Sequence, residues 1–363
     1  MRTSRLYRAV ASWALPVVLG VVGGLALAGS EAHAALTGAD GRVEASVQQI
    51  NATTGTLIDQ AFEETPGTTN ILPARATATL DIVDSTAIRG GLTATASVNP
   101  PADVASIEET KDFSLEAAGL SLPTDRGYVC DAKSIENRQV VLGAEELGLD
   151  AGTRVRVRST FVISAGVFLV TLPGSTANVD GTVSFAVRQL DKQGSHDLLA
   201  GSVRVFFDTD GQLQIENTGD ASLVVAVPFD FSGRSDALDQ AHMVLFPFLS
   251  IPYEYDATVG TSFTLTAEVE AKVNAPSGAQ GGSAFLGQVP TAFLEVVDKQ
   301  LAIDFANSVG GATGSAATQQ AAGLVSSQME ITPLRTGRCG DFGLESLLGG
   351  LLMAAALVGR RFA

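Results

Sequence analysis

Glu268 and Glu270 stand two residues apart in the alternating run from Ser262 to Val273. On a strand they project from one face, with Cβ atoms about 6 to 7 Å apart. That spacing suits two carboxylates sharing acid and base work on a glycosidic bond. Glu108-Glu109 and Glu145-Glu146 are further acidic pairs. The face of Glu268 and Glu270 also carries Thr264, Thr266 and Lys272, the make-up of a solvated sheet face. Aromatic residues, which wall most carboxylate clefts, are only 6% of the chain.

Other chemistry is sparse. His196 and His242 are the only histidines beyond the first 34 residues, and they fall in different expected loops. A multi-histidine metal centre is therefore not expected, and a serine–histidine–acid triad would have to be assembled by the fold. The chain has no Gly-x-Ser-x-Gly elbow, no His-Glu-x-x-His site and no phosphate-binding glycine loop. Asp208-Thr209-Asp210-Gly211 follows the opening of a calcium loop, with Asp208 and Asp210 as oxygen donors and Glu216 nearby. It lacks the third acidic position and the terminal glutamate, and its Asp-Gly step reads first as a hairpin turn. No catalytic residue and no cofactor is assigned; Ca²⁺ is the one ion the acidic turns would suit. Arg154, Arg156 and Arg158 form a basic stripe, read as pairing with acidic neighbours or as a strip for an anionic glycan. Tyr128, Tyr253 and Tyr255 are the candidate ligand contacts, since the only tryptophan, Trp13, lies near the start.

The elements that must position these residues are strands. Ala76, Ala78, Leu80 and Ile82 alternate with Arg75, Thr77, Thr79 and Asp81; Leu92, Ala94, Ala96 and Val98 repeat the pattern after Gly90-Gly91. Further strands are expected at 153–159, 161–172 with a bulge near Gly166, 181–190, 199–207, 212–216, 223–231 and 262–273. No βαβ rhythm appears. The expected fold is all-β, an antiparallel β-sandwich of jelly-roll type over residues 70–305. Short helices are expected within 37–62 and at 235–242, so that 35–69 reads as partly helical or irregular. Residues 274–284 read as a surface loop, and 306–338 as a flexible spacer rich in Ala, Gly, Ser, Thr and Gln. Cys130 and Cys339 are either one long-range disulfide or separate thiols, with Cys130 buried.

The ends carry a different signal. Arg2, Arg5 and Arg8 precede an apolar stretch from Val10 to Ala28 and the small-x-small site Ala32-His33-Ala34. That predicts a signal peptide over 1–34, cut between Ala34 and Ala35, with an uncleaved anchor as the alternative. At the other end an apolar run from Leu347 to Val358 is followed by Arg360 and Arg361. As a helix, 342–358 would span about 25 Å, marginal for a membrane. This tail, 339–363, resembles the tripartite sorting tails of exported bacterial proteins of the PEP-CTERM class, although no Pro-Glu-Pro motif precedes it. The resemblance implies transient membrane anchoring through the C-terminal helix, cleavage by a sorting protease, and attachment or release at the surface, with Cys339 as a candidate processing or attachment point. A permanent anchor or a packed end are the other readings.

Net charge is −16 over 363 residues, and residues 35–340 carry 18 basic and 36 acidic groups. Such a surface repels nucleic acid and anionic headgroups. The expected function is non-enzymatic: an exported structural or interaction protein whose partners are the export machinery, a sorting protease and an envelope or matrix component. A carbohydrate-binding module and a secreted hydrolase are the second and third readings.

Overall fold

Period-two alternation carries the chain from its first described strand to its last. The computed structural model describes residues 34–65, 74–84, 87–98, 113–176, 178–223, 226–230, 232, 239–286 and 322–334. The strands are β1 (Ala34–Asn51), β2 (Leu57–Thr65), β3 (Ala74–Asp84), β4 (Ala87–Val98), β5 (Phe113–Ser121), β6 (Arg126–Leu142), β7 (Arg154–Thr171) and β8 (Asp180–Asp191). They continue with β9 (Gly194–Phe207), β10 (Leu213–Gly219), β11 (Val227–Asp230), β12 (Gln240–Thr258), β13 (Ser262–Ala275), β14 (Gln280–Leu286) and β15 (Ala322–Pro333). Among the described residues the helical pieces are one turn, α1 (Ala144–Leu147), and a 3-10 turn at Asp220–Leu223.

The strands form two antiparallel sheets that pack face to face. Sheet A runs β10-β9-β8-β13-β6-β1-β2, and sheet B runs β11-β12-β7-β14-β5-β4-β3, with β15 also paired to β7. The sheets lie aligned: β1 faces β3 and β4, β6 faces β4 and β5, β13 faces β5 and β14, β8 faces β14 and β7, and β9 faces β12. The all-β sandwich expected from the sequence is the fold observed.

Inward positions fill the space between the sheets. Val43, Ala45 and Val47 of β1 meet Ala76, Ala78, Ala94 and Ala96 of the β3–β4 hairpin, all buried. Small side chains let the layers approach, and each buried apolar side chain adds roughly 25 cal/mol per Å² removed from water. Tyr128 is sealed in the core, where its hydroxyl donates to the Gly119 carbonyl at 2.7 Å. A Cβ at Gly119 would lie 2.5 Å from that ring, so glycine is what lets the aromatic lie against β5.

Several expectations are corrected. Residues 37–62 form β1 and β2, not a helix, because Val43, Ala45 and Val47 alternate inward against β6. The sandwich therefore includes 34–65, outside the region in which it was expected. Residues 274–284, expected as a loop, contain most of β14, which is buried between β5 and β7. Its Gly281-Gly282 step is tolerated there because a side chain would collide: a Cβ at Gly282 would stand 2.8 Å from Val273. Within the expected spacer, 322–333 is strand β15, paired along β7. The proposed helix at 235–242 gives way to β12 from Gln240 onward, and 233–238 lies outside the described residues. The bulge expected near Gly166 lies in the partner strand, between Phe246 and Leu249. Gly166 instead makes room for the Phe285 ring.

Candidate functional site

Glu268 and Glu270 lie on the outer face of sheet A. Alternation along β13 turns Phe263, Leu265 and Ala267 inward and leaves Glu268 and Glu270 outward. Pairing with β6 and β8 surrounds them with cations. Lys133 Nζ reaches Glu268 at 2.6 Å, and Arg188 holds the second oxygen at 2.9 Å while also binding Asp197 at 3.0 Å. Burial pushes the Glu268 carboxyl up, but Lys133 and Arg188 outweigh it and hold the group below its ordinary range. Ser184 donates to Glu270 at 3.3 Å. One group departs the other way. Asp131 titrates at about 6, raised by burial, then by the charge and hydrogen bond of Glu270, with Lys272 and Lys133 opposing. The hollow beside Glu268 is lined by Ser184, Phe185, Arg188, Gly201 and Thr218, with one aromatic ring among them.

The second candidate is built by the β11–β12 hairpin. Register pairs Asp230 directly with His242. His242 Nδ1 lies 3.7 Å from Asp230 Oδ1, and Nε2 lies 3.5 Å from Ser232 Oγ. The order carboxylate–imidazole–hydroxyl is that of an acyl-transfer triad. Both contacts are at or beyond hydrogen-bond length. The Ser232 hydroxyl already accepts the Ala241 N–H at 3.1 Å, and the Asp230 carboxylate accepts the Ser232 N–H at 2.8 Å. Burial pulls the His242 pKa down, with Asp230 opposing, which favours the neutral imidazole a general base requires. Sequence reading placed His242 in a loop and did not single out Ser232; the missing signal was the hairpin register.

His196 lies on β9, not in a loop, with Nε2 3.6 Å from Asp191. The two line an end cleft of about 480 Å³ together with Lys192, Arg154, Asp256 and Ser262. Ser262 accepts a hydrogen bond from Gln139 at 3.1 Å.

The remaining candidates resolve as structure. Asp208 accepts the N–H groups of Asp210 at 3.0 Å and Gln212 at 2.9 Å, and the Gln214 amide at 2.8 Å. Its carboxylate is held low chiefly by the Gln212 N–H. The pair Asp208 and Asp210 thus forms a hairpin turn, and no group of three or more metal-ligating side chains is found among the described residues. Tyr128, Tyr253 and Tyr255 are largely buried, and Tyr255 also lines the end cleft beside His196. They are 0, 4 and 4% exposed, because their strand positions point between the sheets. The arginine stripe is engaged by β12: Arg158 meets Glu254 at 2.6 Å, and Arg156 and Arg154 meet Asp256 at 2.9 and 3.6 Å.

Cys130 is a buried free thiol, pushed far above its ordinary pKa by burial. Ala34 and Ala35 begin β1. Cys339, the apolar tail and the leader lie outside the described residues, and among the described ones no helix is long and apolar enough to cross a membrane.

Sequence reasoning missed one more feature, the buried pair Glu136 and Arg138. They follow Tyr128, Cys130, Ala132 and Ser134 in phase along β6 and so point into the core. Arg138 holds Glu136 through Nε at 2.7 Å and through a second nitrogen at 3.2 Å. The in-phase run was the available signal. The chain matches no protein-family model and no curated protein.

Proposed function

We propose that the chain is an exported, non-enzymatic structural or interaction protein of a bacterial surface. The observation that carries this reading is the state of its charged side chains. Glu268, Asp256, Glu254 and Asp208 are each satisfied by neighbouring cations or turn donors, as the surface of a self-supporting sandwich requires. The apolar leader with Ala32-His33-Ala34 and the apolar tail with Arg360-Arg361 support export and anchoring, with the export machinery and a sorting protease as transient partners. An envelope or matrix component is the lasting partner. Protease treatment of intact cells tests this: the chain should be degraded while a cytoplasmic marker survives. A chain protected until the cells are lysed would reject the reading.

One observation favours a second reading, a secreted hydrolase: His242 stands between Ser232 and Asp230. A fluorophosphonate probe decides it. Labelling that disappears in Ser232→Ala supports the hydrolase; an unlabelled chain removes it.

A further inference from the structure

The sandwich opens at one end. The β8–β9 hairpin and the start of β13 come there from sheet A, and the end of β12 and the start of β7 from sheet B. The cleft between them holds about 480 Å³, within the size range of small-ligand sites. Its floor is apolar. Tyr255 and Phe263 meet from opposite sheets with ring centroids 5.5 Å apart, and Leu198 lines the cleft beside them.

One residue departs from the apolar run of the core. Val183, Phe185 and Val187 of β8 point inward, and Gln189 follows in the same phase. It is 4% exposed. Its Nε2 donates to the Asp256 carbonyl at 2.9 Å, which fixes the amide. Its Oε1 meets no donor among the described residues, and the side chain lines the cleft. An acceptor in so buried a side chain is costly unless a donor reaches it. On the rim, Ser262 accepts from Gln139 at 3.1 Å and keeps its own O–H to give.

The charges of the cleft are unevenly committed. Asp256 is held at 2.9 Å by Arg156, which does not line the cleft. Asp191 accepts the Gln193 N–H of its own turn at 2.7 Å. Lys192 pairs with no carboxylate among the described residues, and Arg154 meets Asp256 only at 3.6 Å. The cleft therefore keeps uncommitted positive charge in a chain of net charge −16.

We propose that this cleft binds one acidic sugar unit, a hexuronate of a surface polysaccharide. Such a ring brings C–H groups to the apolar floor, hydroxyls to Gln189 Oε1 and the Ser262 O–H, and a carboxylate to Lys192 and Arg154. This names the chemistry of the envelope or matrix partner proposed above and rests on that reading for its purpose only. A surface-exposed chain that binds no uronate sinks the cleft assignment alone; uronate binding by a chain kept in the cytoplasm sinks the surface role alone.

Isothermal titration calorimetry on the purified full chain tests it, with trimers of galacturonate, glucuronate and mannuronate as probes. Saturable binding of at least one is expected. It should weaken at least about tenfold with Lys192→Ala and with Gln189→Leu, and stay unchanged with Arg42→Ala, which removes a charge on β1. Circular dichroism checks that the variants keep their strand content; Lys192 is exposed in a hairpin turn, so its loss leaves the core intact. The methyl ester of the bound trimer keeps the ring without the charge and should bind at least about tenfold more weakly. Triglutamate carries the charge without the ring and should not compete. No saturable binding of any of the three trimers overturns the proposal. So does binding that Lys192→Ala leaves intact, or that the methyl ester or triglutamate reproduces.

Discussion

Arg138 and Arg156 each bind a carboxylate through Nε, at 2.7 and 2.9 Å, in settings that could hardly differ more. The Arg138–Glu136 side chains are 6 and 0% exposed, between the sheets; those of Arg156 and Asp256 are 50 and 36% exposed, on an outer face. Similar geometry does not mean similar energy. The buried pair has given up its water and depends on its partner; the exposed pair loses little if its partner leaves. The molecule therefore places its strongest electrostatic constraint inside the core. Its surface ladder tunes solubility and strand pairing.

Removing one member of the buried pair is the largest expected effect. Arg138→Ala should lower unfolding free energy by about 3–5 kcal/mol in a urea titration, because Glu136 is left buried and unpaired. Replacing both, as Glu136→Leu with Arg138→Met, should recover most of that loss. A cost for Arg138→Ala as small as that of a surface change would break the contrast. An uncharged buried group sharpens it. Tyr128→Phe strands the Gly119 carbonyl and should cost about 1–3 kcal/mol by the same titration.

Asp131 lies between the two extremes. Its folded pKa, raised to about 6 from an ordinary 3.8, means that the folded state binds this proton more tightly than the unfolded state. Its protonation therefore adds stability as pH falls from about 6 toward 4, and that contribution is lost as pH rises through 6. Asp131→Asn should stabilise the protein by about 1–2 kcal/mol at pH 8, after allowance for solvent screening, with the gain vanishing near pH 4. Thermal melts at the two pH values read this directly. The smallest effect belongs to the ladder. Arg156→Ala should lower the melting temperature only slightly, and less still in high salt, as paired melts at low and high salt would show.

The same contrast explains what the sequence disclosed. Clean alternation made β3, β4, β8, β9 and β13 legible, and with them the sandwich. The arginine stripe was legible as strand pairing because its alternation with Val155 and Val157 fixed its face. β14 was hidden because Gln280-Gly281-Gly282-Ser283 looks like a loop until the facing layer comes close. The helix expected within 37–62 came from Val43, Val47, Ile50 and Leu57, which fit a helical face while Val43, Ala45 and Val47 fit a strand equally well. Glu136 and Arg138 went unnoticed because charge was taken as a sign of solvent. The Asp230–His242–Ser232 cluster depended on a register that composition does not encode.

The exported surface role is tested most directly by the intact mass of the native protein, taken separately from cell envelope and culture medium. The account predicts a chain beginning at Ala35 and ending before Leu347, or carrying added mass at Cys339, in one of those fractions. A chain that keeps Met1 and sits in the cytoplasm would contradict it.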